Sequence, residues 1–231
     1  TPVLAFGSNG DIEDFSVSSE VVCVIYTGGR LKCAGYNYYG QVGMGNSGSS
    51  YNVLNSPTQV KIYETGADVT DAVSVYGGHQ HSCYVPTDGR LRCWGNGGYE
   101  VGSSGNDPTT KPKLLNPSVE NPTWVTLGSK GGCAGVSNGD VYCWGENNGY
   151  DSGDDNGYSY PKLVFSGITG IVQQFGDMVF VSENGQVRSS GGSGSYGELG
   201  QGGTITYKSG WSNNGPVLLS SAGGSYGPLV N

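Results

Sequence analysis

Short apolar runs broken by glycine-rich polar segments recur along the whole chain. No stretch holds an apolar face at helical spacing long enough to predict a helix. In three places an apolar arm turns back on itself. Cys23-Val24-Ile25-Tyr26 meets Arg30-Leu31-Lys32-Cys33 across Thr27-Gly28-Gly29, and Cys83-Tyr84-Val85-Pro86 meets Arg90-Leu91-Arg92-Cys93 across Thr87-Asp88-Gly89. Cys133-Ala134-Gly135-Val136 meets Asp140-Val141-Tyr142-Cys143 across Ser137-Asn138-Gly139. Each reads as a β-hairpin whose three-residue loop ends in a left-handed glycine.

That loop fixes the register. With Pro86 facing Arg90, the ladder puts Cys83 opposite Cys93, at a non-hydrogen-bonded position where opposed Cα atoms approach to about 4.5 Å. A disulfide spans that distance. The same geometry recurs three times, so Cys23–Cys33, Cys83–Cys93 and Cys133–Cys143 are the predicted bridges. The competing readings are six buried thiols of a cytosolic protein and metal ligation, and the spacing is unlike the close Cys pairs of zinc sites.

Sliding the hairpin along the chain finds a further copy without cysteines at Val179 to Ser189. After each second arm comes a glycine-rich phrase and a variable polar loop. A proline-led strand then follows, at Pro57-Thr58-Gln59-Val60, Pro112-Lys113-Leu114-Leu115, Pro161-Lys162-Leu163-Val164 and Pro216-Val217-Leu218-Leu219. A last strand runs into a glycine step at Gly77-Gly78, Gly128, Gly176 and Gly223-Gly224. Four strands per unit at this spacing predict propeller blades.

The termini complete the count. Gly224 to Asn231 resembles a first arm, and Thr1 to Gly7 resembles a second arm. Joined, they make a fifth hairpin. The expected fold is therefore all-β: a single domain over 1–231, a five-bladed β-propeller of four-stranded antiparallel blades. First arms begin near 23, 83, 133, 179 and 226, and residues 1–7 complete the last blade, so that paired N- and C-terminal strands close the ring. Gly10 to Glu20 takes the place of the long loop in that unit. The rival arrangement pairs the two half-hairpins between neighbouring molecules.

The repeat phrase resembles a known family. Gly78-x-x-His81-x-Cys83, Asp88-Gly89, Cys93-Trp94-Gly95 and Asn37-x-x-Gly40-Gln41-Val42-Gly43-x-Gly45 are similar to the regulator of chromosome condensation repeat. The resemblance implies a propeller and a binding role. The chain departs from it in blade number, in its paired cysteines and in the tryptophan column, which reads Phe6, Ala34, Trp94, Trp144 and Ser190. The departures speak against nuclear nucleotide-exchange activity.

Composition narrows the function. The chain has 231 residues with 43 Gly, 16 Tyr, only 13% charged residues and a formal net charge of −8. Without clustered Lys and Arg, neither a nucleic-acid groove nor insertion at an anionic membrane is expected. No apolar run is long enough to span a bilayer. Paired cysteines point to an extracellular, secreted chain, and its start at Thr1-Pro2-Val3 reads as a mature end. Whether it is part of a longer precursor is left open by the sequence.

Candidate chemistry is sparse. His79 and His81 are the only histidines, and His81 falls at the family's own histidine position, where a structural hydrogen bond is expected. Asp151, Asp154 and Asp155 form a weak Ca²⁺ candidate whose glycine spacing is not that of an EF-hand. No enzymatic activity and no cofactor are expected. Trp94 and Trp144 should pack between blades. The variable loops carry Tyr38, Tyr39, Tyr51, Tyr150, Tyr158, Tyr160, Tyr207 and Trp211, the aromatic and polar mixture of recognition surfaces. Together these features predict a disulfide-reinforced module that binds another extracellular protein or assembles with itself. A lectin-type propeller binding glycans is the alternative. A lectin would repeat one aromatic set in each blade, whereas these loops differ in length and composition.

Overall fold

The computed structural model describes residues 11–51, 53–98, 100–102, 108–115, 118–145 and 160–168. It also describes the strand backbone at 172–175, 178–183, 186–191 and 217–218. The described strands form four antiparallel sheets of four strands each. The first holds β1 (Ile12–Val17), β2 (Val21–Tyr26), β3 (Arg30–Tyr36) and β4 (Val53–Gln59). The second holds β5 (Ala72–Gly77), β6 (His81–Pro86), β7 (Arg92–Gly95) and β8 (Thr109–Leu114). The third holds β9 (Trp124–Leu127), β10 (Gly131–Gly135), β11 (Val141–Gly145) and β12 (Lys162–Phe165). The fourth holds β13 (Val172–Phe175), β14 (Met178–Glu183), β15 (Gln186–Gly191) and β16 (Val217–Leu218). Among the described residues one 3₁₀ turn spans Ser49–Tyr51.

Each sheet is a meander whose middle pair is the hairpin read from the sequence. Cys23 pairs with Cys33, Cys83 with Cys93 and Cys133 with Cys143 in the ladder. All three pairs are disulfides, with Cα atoms 4.1, 4.0 and 4.1 Å apart. That close approach belongs to a non-hydrogen-bonded pair, as the loop geometry requires. Gly29, Gly89 and Gly139 end the loops at φ of 70°, 74° and 86°. Each carbonyl there accepts a hydrogen bond from the connection into the next blade: from Ala72 N at 3.1 Å, Asn121 N at 2.8 Å and Ile168 N at 2.8 Å. A side chain at these tips would meet both an unfavourable φ and the neighbouring backbone.

The proline-led strands β4, β8, β12 and β16 lie at the sheet edges, where a residue without an N–H breaks no ladder. One sequence expectation is corrected here. The strand before each hairpin pairs with that hairpin, so a blade begins one strand earlier than the repeat unit suggests. Within Gly10 to Glu20, expected as a loop, the chain forms β1, which pairs with β2 from Ile12↔Tyr26 to Val17↔Val22.

Packing between sheets explains why the first arms are nearly continuous in apolar residues: β6 is buried at all its positions because blades cover both of its faces. One core joins the first and second blades, setting the Cys23–Cys33 bridge, Ile25 and Leu31 against Ala72, Val75, Tyr84 and Trp94. The next repeats it, with Cys83–Cys93 and Leu91 against Val125, Ala134 and Trp144. Residues 1–7 and 224–231, expected to form the fifth hairpin, lie outside the described residues.

Candidate functional site

Two ends of the blades can be told apart. The hairpin tips meet the connections between blades at one end. The turns joining the first two strands of a blade lie at the other, together with the loops that leave the third strand. Tyr36 N donates to Glu20 O at 2.9 Å, and Asn96 N donates to Gln80 O at 2.9 Å, fixing each loop against its turn. In the first and second blades the variable loop therefore starts beside the turn that joins the first two strands.

On the first blade this face carries an ordered aromatic group. The rings of Tyr36 and Tyr38 stack with centroids 6.3 Å apart, and Tyr39 meets Tyr38 edge-on at 5.0 Å. Tyr38 is 43% exposed. The loop beneath is internally tied. Asn37 Oδ1 accepts from Val42 N at 2.9 Å, Asn37 Nδ2 donates to Asn46 O at 3.1 Å, and Gly48 N donates to Tyr38 O at 2.8 Å. Asn37 and Gln41 belong to the repeat phrase, and both are buried.

Beside the rings runs a polar chain across two blades. Asn96 Nδ2 donates to Gln80 Oε1 at 2.8 Å, and Gln80 Nε2 donates to Glu20 Oε1 at 3.4 Å. From the other side Gln41 Nε2 donates to Glu20 Oε2 at 2.9 Å, and Gln41 Oε1 accepts from Tyr39 N at 2.8 Å. Desolvation, with Tyr39, Glu20 and Tyr38 nearby, raises the Tyr36 phenol above its ordinary value. Tyr36, Glu20 and Gln80 were not among the expected site residues. Glu20 and Gln80 stand in turns remote in sequence from the tyrosines, and only the hydrogen bonds of Glu20 to Gln41 and Gln80 link them to the loop.

The remaining candidates separate. Tyr160 is exposed just ahead of β12, on the third blade. Tyr51 closes the 3₁₀ turn, and its side chain lies outside the described residues, as do Tyr150, Tyr158, Tyr207 and Trp211. Asp151, Asp154 and Asp155 also lie outside them. Among the described residues no three His, Cys, Asp or Glu side chains gather as a metal site would need.

His81 is a wall residue between the second and third blades. Its Nε2 lies 3.1 Å from Gly131 O, the residue at the equivalent position of the next blade, so the geometry assigns the ring hydrogen to Nε2. Nδ1 lies 4.0 Å from Glu100 Oε2. Burial drives its pKa down from 6.5 to about 4, opposed by the Gly131 carbonyl and helped by His79. A Cβ on Gly78 would stand 2.6 Å from His81 Cε1, which gives the Gly78-x-x-His81 spacing its reason.

Four-stranded antiparallel sheets packed face to face, three of them with a disulfide in the middle hairpin, are the blades of a β-propeller. Models of the Regulator of chromosome condensation (RCC1) repeat match residues 29–85 and 72–100. The chain carries RCC1 repeats within residues 29–100, and its sheets share the fold of RCC1-repeat propellers. Among solved structures it is similar to yeast RCC1 (Prp20) bound to Kap60, with a TM-score of 0.75 at 16% identity, covering 94% of this chain and 50% of that one. Human WBSCR16 is similar with a TM-score of 0.67 at 17% identity, over 92% of this chain and 54% of that one. Prp20p from Saccharomyces cerevisiae, described with its binding to Gsp1p and histones, gives 0.57 at 16% identity, over 77% and 42%. The chain thus spans about half the length of the structures it matches.

Proposed function

We propose that this chain is a non-catalytic, secreted β-propeller module that binds another extracellular protein, or its own copies, through its loop face. The observation that carries the reading is the pairing of three buried disulfides with a loop face whose Tyr36–Tyr38 stack does not repeat in the second blade. Disulfides persist in oxidising compartments. Tyr39 has a counterpart in Tyr99 of the second blade, but Tyr36 and Tyr38 align with Asn96 and Gly98 there and have none, which favours one composite protein surface over a set of equivalent sugar sites. RCC1-like neighbours of known structure engage protein partners, among them Kap60.

In this reading the blades number five, and the ring closes by pairing residues 224–231 with 1–7. Phe15 supports the closure. It shares the register of Val75 and Val125, which are buried against the preceding blade, yet Phe15 is 64% exposed and faces outward beside Ile12. A blade is expected to cover that surface. A cross-link between cysteines placed at Val3 and Leu229 within one chain tests it. Bridging only between chains would replace closure by a chain of propellers.

The function is tested by capturing partners from the native extracellular medium with wild type and with Tyr38→Ala/Tyr39→Ala, alongside a glycan array. A protein retained by wild type and lost from the double variant supports the reading. Saturable sugar binding at several blades, with no protein partner, overturns it in favour of the lectin.

A further inference from the structure

The Tyr36–Tyr38–Tyr39 group lies beside a carboxylate with an unusual setting. Glu20 is half-buried, and neutral amides hold both its oxygens: Gln41 Nε2 at 2.9 Å and Gln80 Nε2 at 3.4 Å. Among the described residues, no Lys, Arg or His nitrogen forms an ion pair with it. A carboxylate has about four lone-pair sites, so two amide bonds leave acceptor capacity on Glu20. Removing a carboxylate partly from water without a cation is costly, and fixing it with a hydrogen-bond chain spanning two blades adds ordering cost. Such a group is preorganised for a cation that arrives from outside.

The rings point the same way. Aromatic faces carry negative potential, Tyr36 lies within electrostatic reach of Glu20, Tyr38 and Tyr39 continue the ring cluster from it, and the whole chain bears −8. A neutral sugar gains nothing from this field. A guanidinium gains twice, because its plane stacks on a tyrosine while its forked N–H groups reach a carboxylate.

Resting on the protein-binding reading above, we infer that Glu20 with Tyr36, Tyr38 and Tyr39 is the seat of an arginine side chain on the partner protein. The loop is already tied through Asn37 and Gln41, so the seat needs no rearrangement to receive it. Gln80 and Asn96 extend the seat onto the second blade and set the direction from which the side chain enters.

The test is a titration of the oxidised full chain, followed by NMR of its tyrosine rings. The probes are acetyl-Gly-Arg-Gly-amide, its citrulline isostere and a methyl glycoside. The arginine peptide should shift the Tyr36, Tyr38 and Tyr39 signals saturably. The citrulline peptide should bind roughly five- to tenfold more weakly, and high salt should weaken the arginine response. Glu20→Gln, which keeps shape and amide contacts, should reduce arginine binding to the citrulline level while leaving the rest of the spectrum unchanged. Equal binding of both peptides, a response to the glycoside alone, or no saturable shift of these rings would each overturn the seat. A partner lost on Tyr38→Ala yet retained at full strength by Glu20→Gln would sink the arginine seat and leave the protein-binding reading standing. Saturation by the arginine peptide with no partner in the medium would do the reverse.

Discussion

The indole nitrogen of Trp94 donates a hydrogen bond of 2.7 Å to the carbonyl oxygen of Gln41, joining the third strand of the second blade to the loop of the first. One blade further on, Trp144 Nε1 makes the same bond to Glu100 O at 3.1 Å. Both indoles are fully buried, and a Cβ on Gly43 would stand 2.8 Å from Trp94 Nε1. The repeat phrase Gln41-Val42-Gly43 is therefore a receptor for the next blade's tryptophan.

Trp94→Phe keeps most of the packing and leaves the Gln41 carbonyl without its buried donor, at a cost of about 1–2 kcal/mol. Trp94→Ala also opens a cavity between blades and should cost about 3–5 kcal/mol. Denaturant unfolding of the oxidised protein reads both. An unchanged midpoint in Trp94→Phe would mean that shape alone holds the two blades.

Gly78→Ala brings a methyl to 2.6 Å from His81 Cε1 and 2.9 Å from Gly128 O. Overpacking of this kind costs about 1–3 kcal/mol. Because the imidazole causes part of the clash, Gly78→Ala combined with His81→Ala should lose less than the sum of the two single losses. Strict additivity in a double-mutant cycle would contradict the packing described.

Acid should loosen the wall between the second and third blades. The unfolded imidazole binds a proton at 6.5 and the folded one only at about 4, so between those values the unfolded chain holds more protons. Stability from this group is complete above about pH 6.5 and is lost as pH falls towards 4, by at most about 3 kcal/mol. The nearest titratable groups are Glu100, with Oε2 4.0 Å from Nδ1, and His79. Unfolding curves of wild type and His81→Gln, taken from pH 7 to 4, should converge as the pH drops. Parallel curves would show that His81 does not titrate with unfolding.

The six cysteines, all bridged and all buried, should be inert to a maleimide in the native protein and in denaturant without reductant. Reduction of the unfolded chain should then expose six thiols by mass. Replacing Cys83 and Cys93 together by Ala should cost about 2–3 kcal/mol, since each bridge closes only a short loop. Labelling without reductant would disprove the bridges.

The hairpins and their disulfides were legible because a three-residue loop with a left-handed glycine dictates which residues face each other, a relation internal to a few residues. The proline-led strands followed as strands from the short runs after Pro57 and Pro112, and the sheet order then put them at the edges. The membership of β1 did not. Ile12, Phe15 and Val17 alternate with polar residues over so short a span that a strand and a polar connection look alike, and only pairing with Val22 to Tyr26 distinguishes them. The site was half legible. Tyr38 and Tyr39 stood out as loop aromatics, whereas Glu20 joins them through Gln41, far along the chain.

By itself the sequence determined the repeated hairpin, the cysteine partners and the glycines that each turn demands, since these depend on local backbone geometry. Tertiary structure alone decided which strand opens each blade, that Trp94 answers Gln41 across a blade boundary, and that Glu20 lies between two amides within electrostatic reach of Tyr36. Those relations arise where separate repeats stack, and stacking brings together residues whose sequence separation carries no periodic signal.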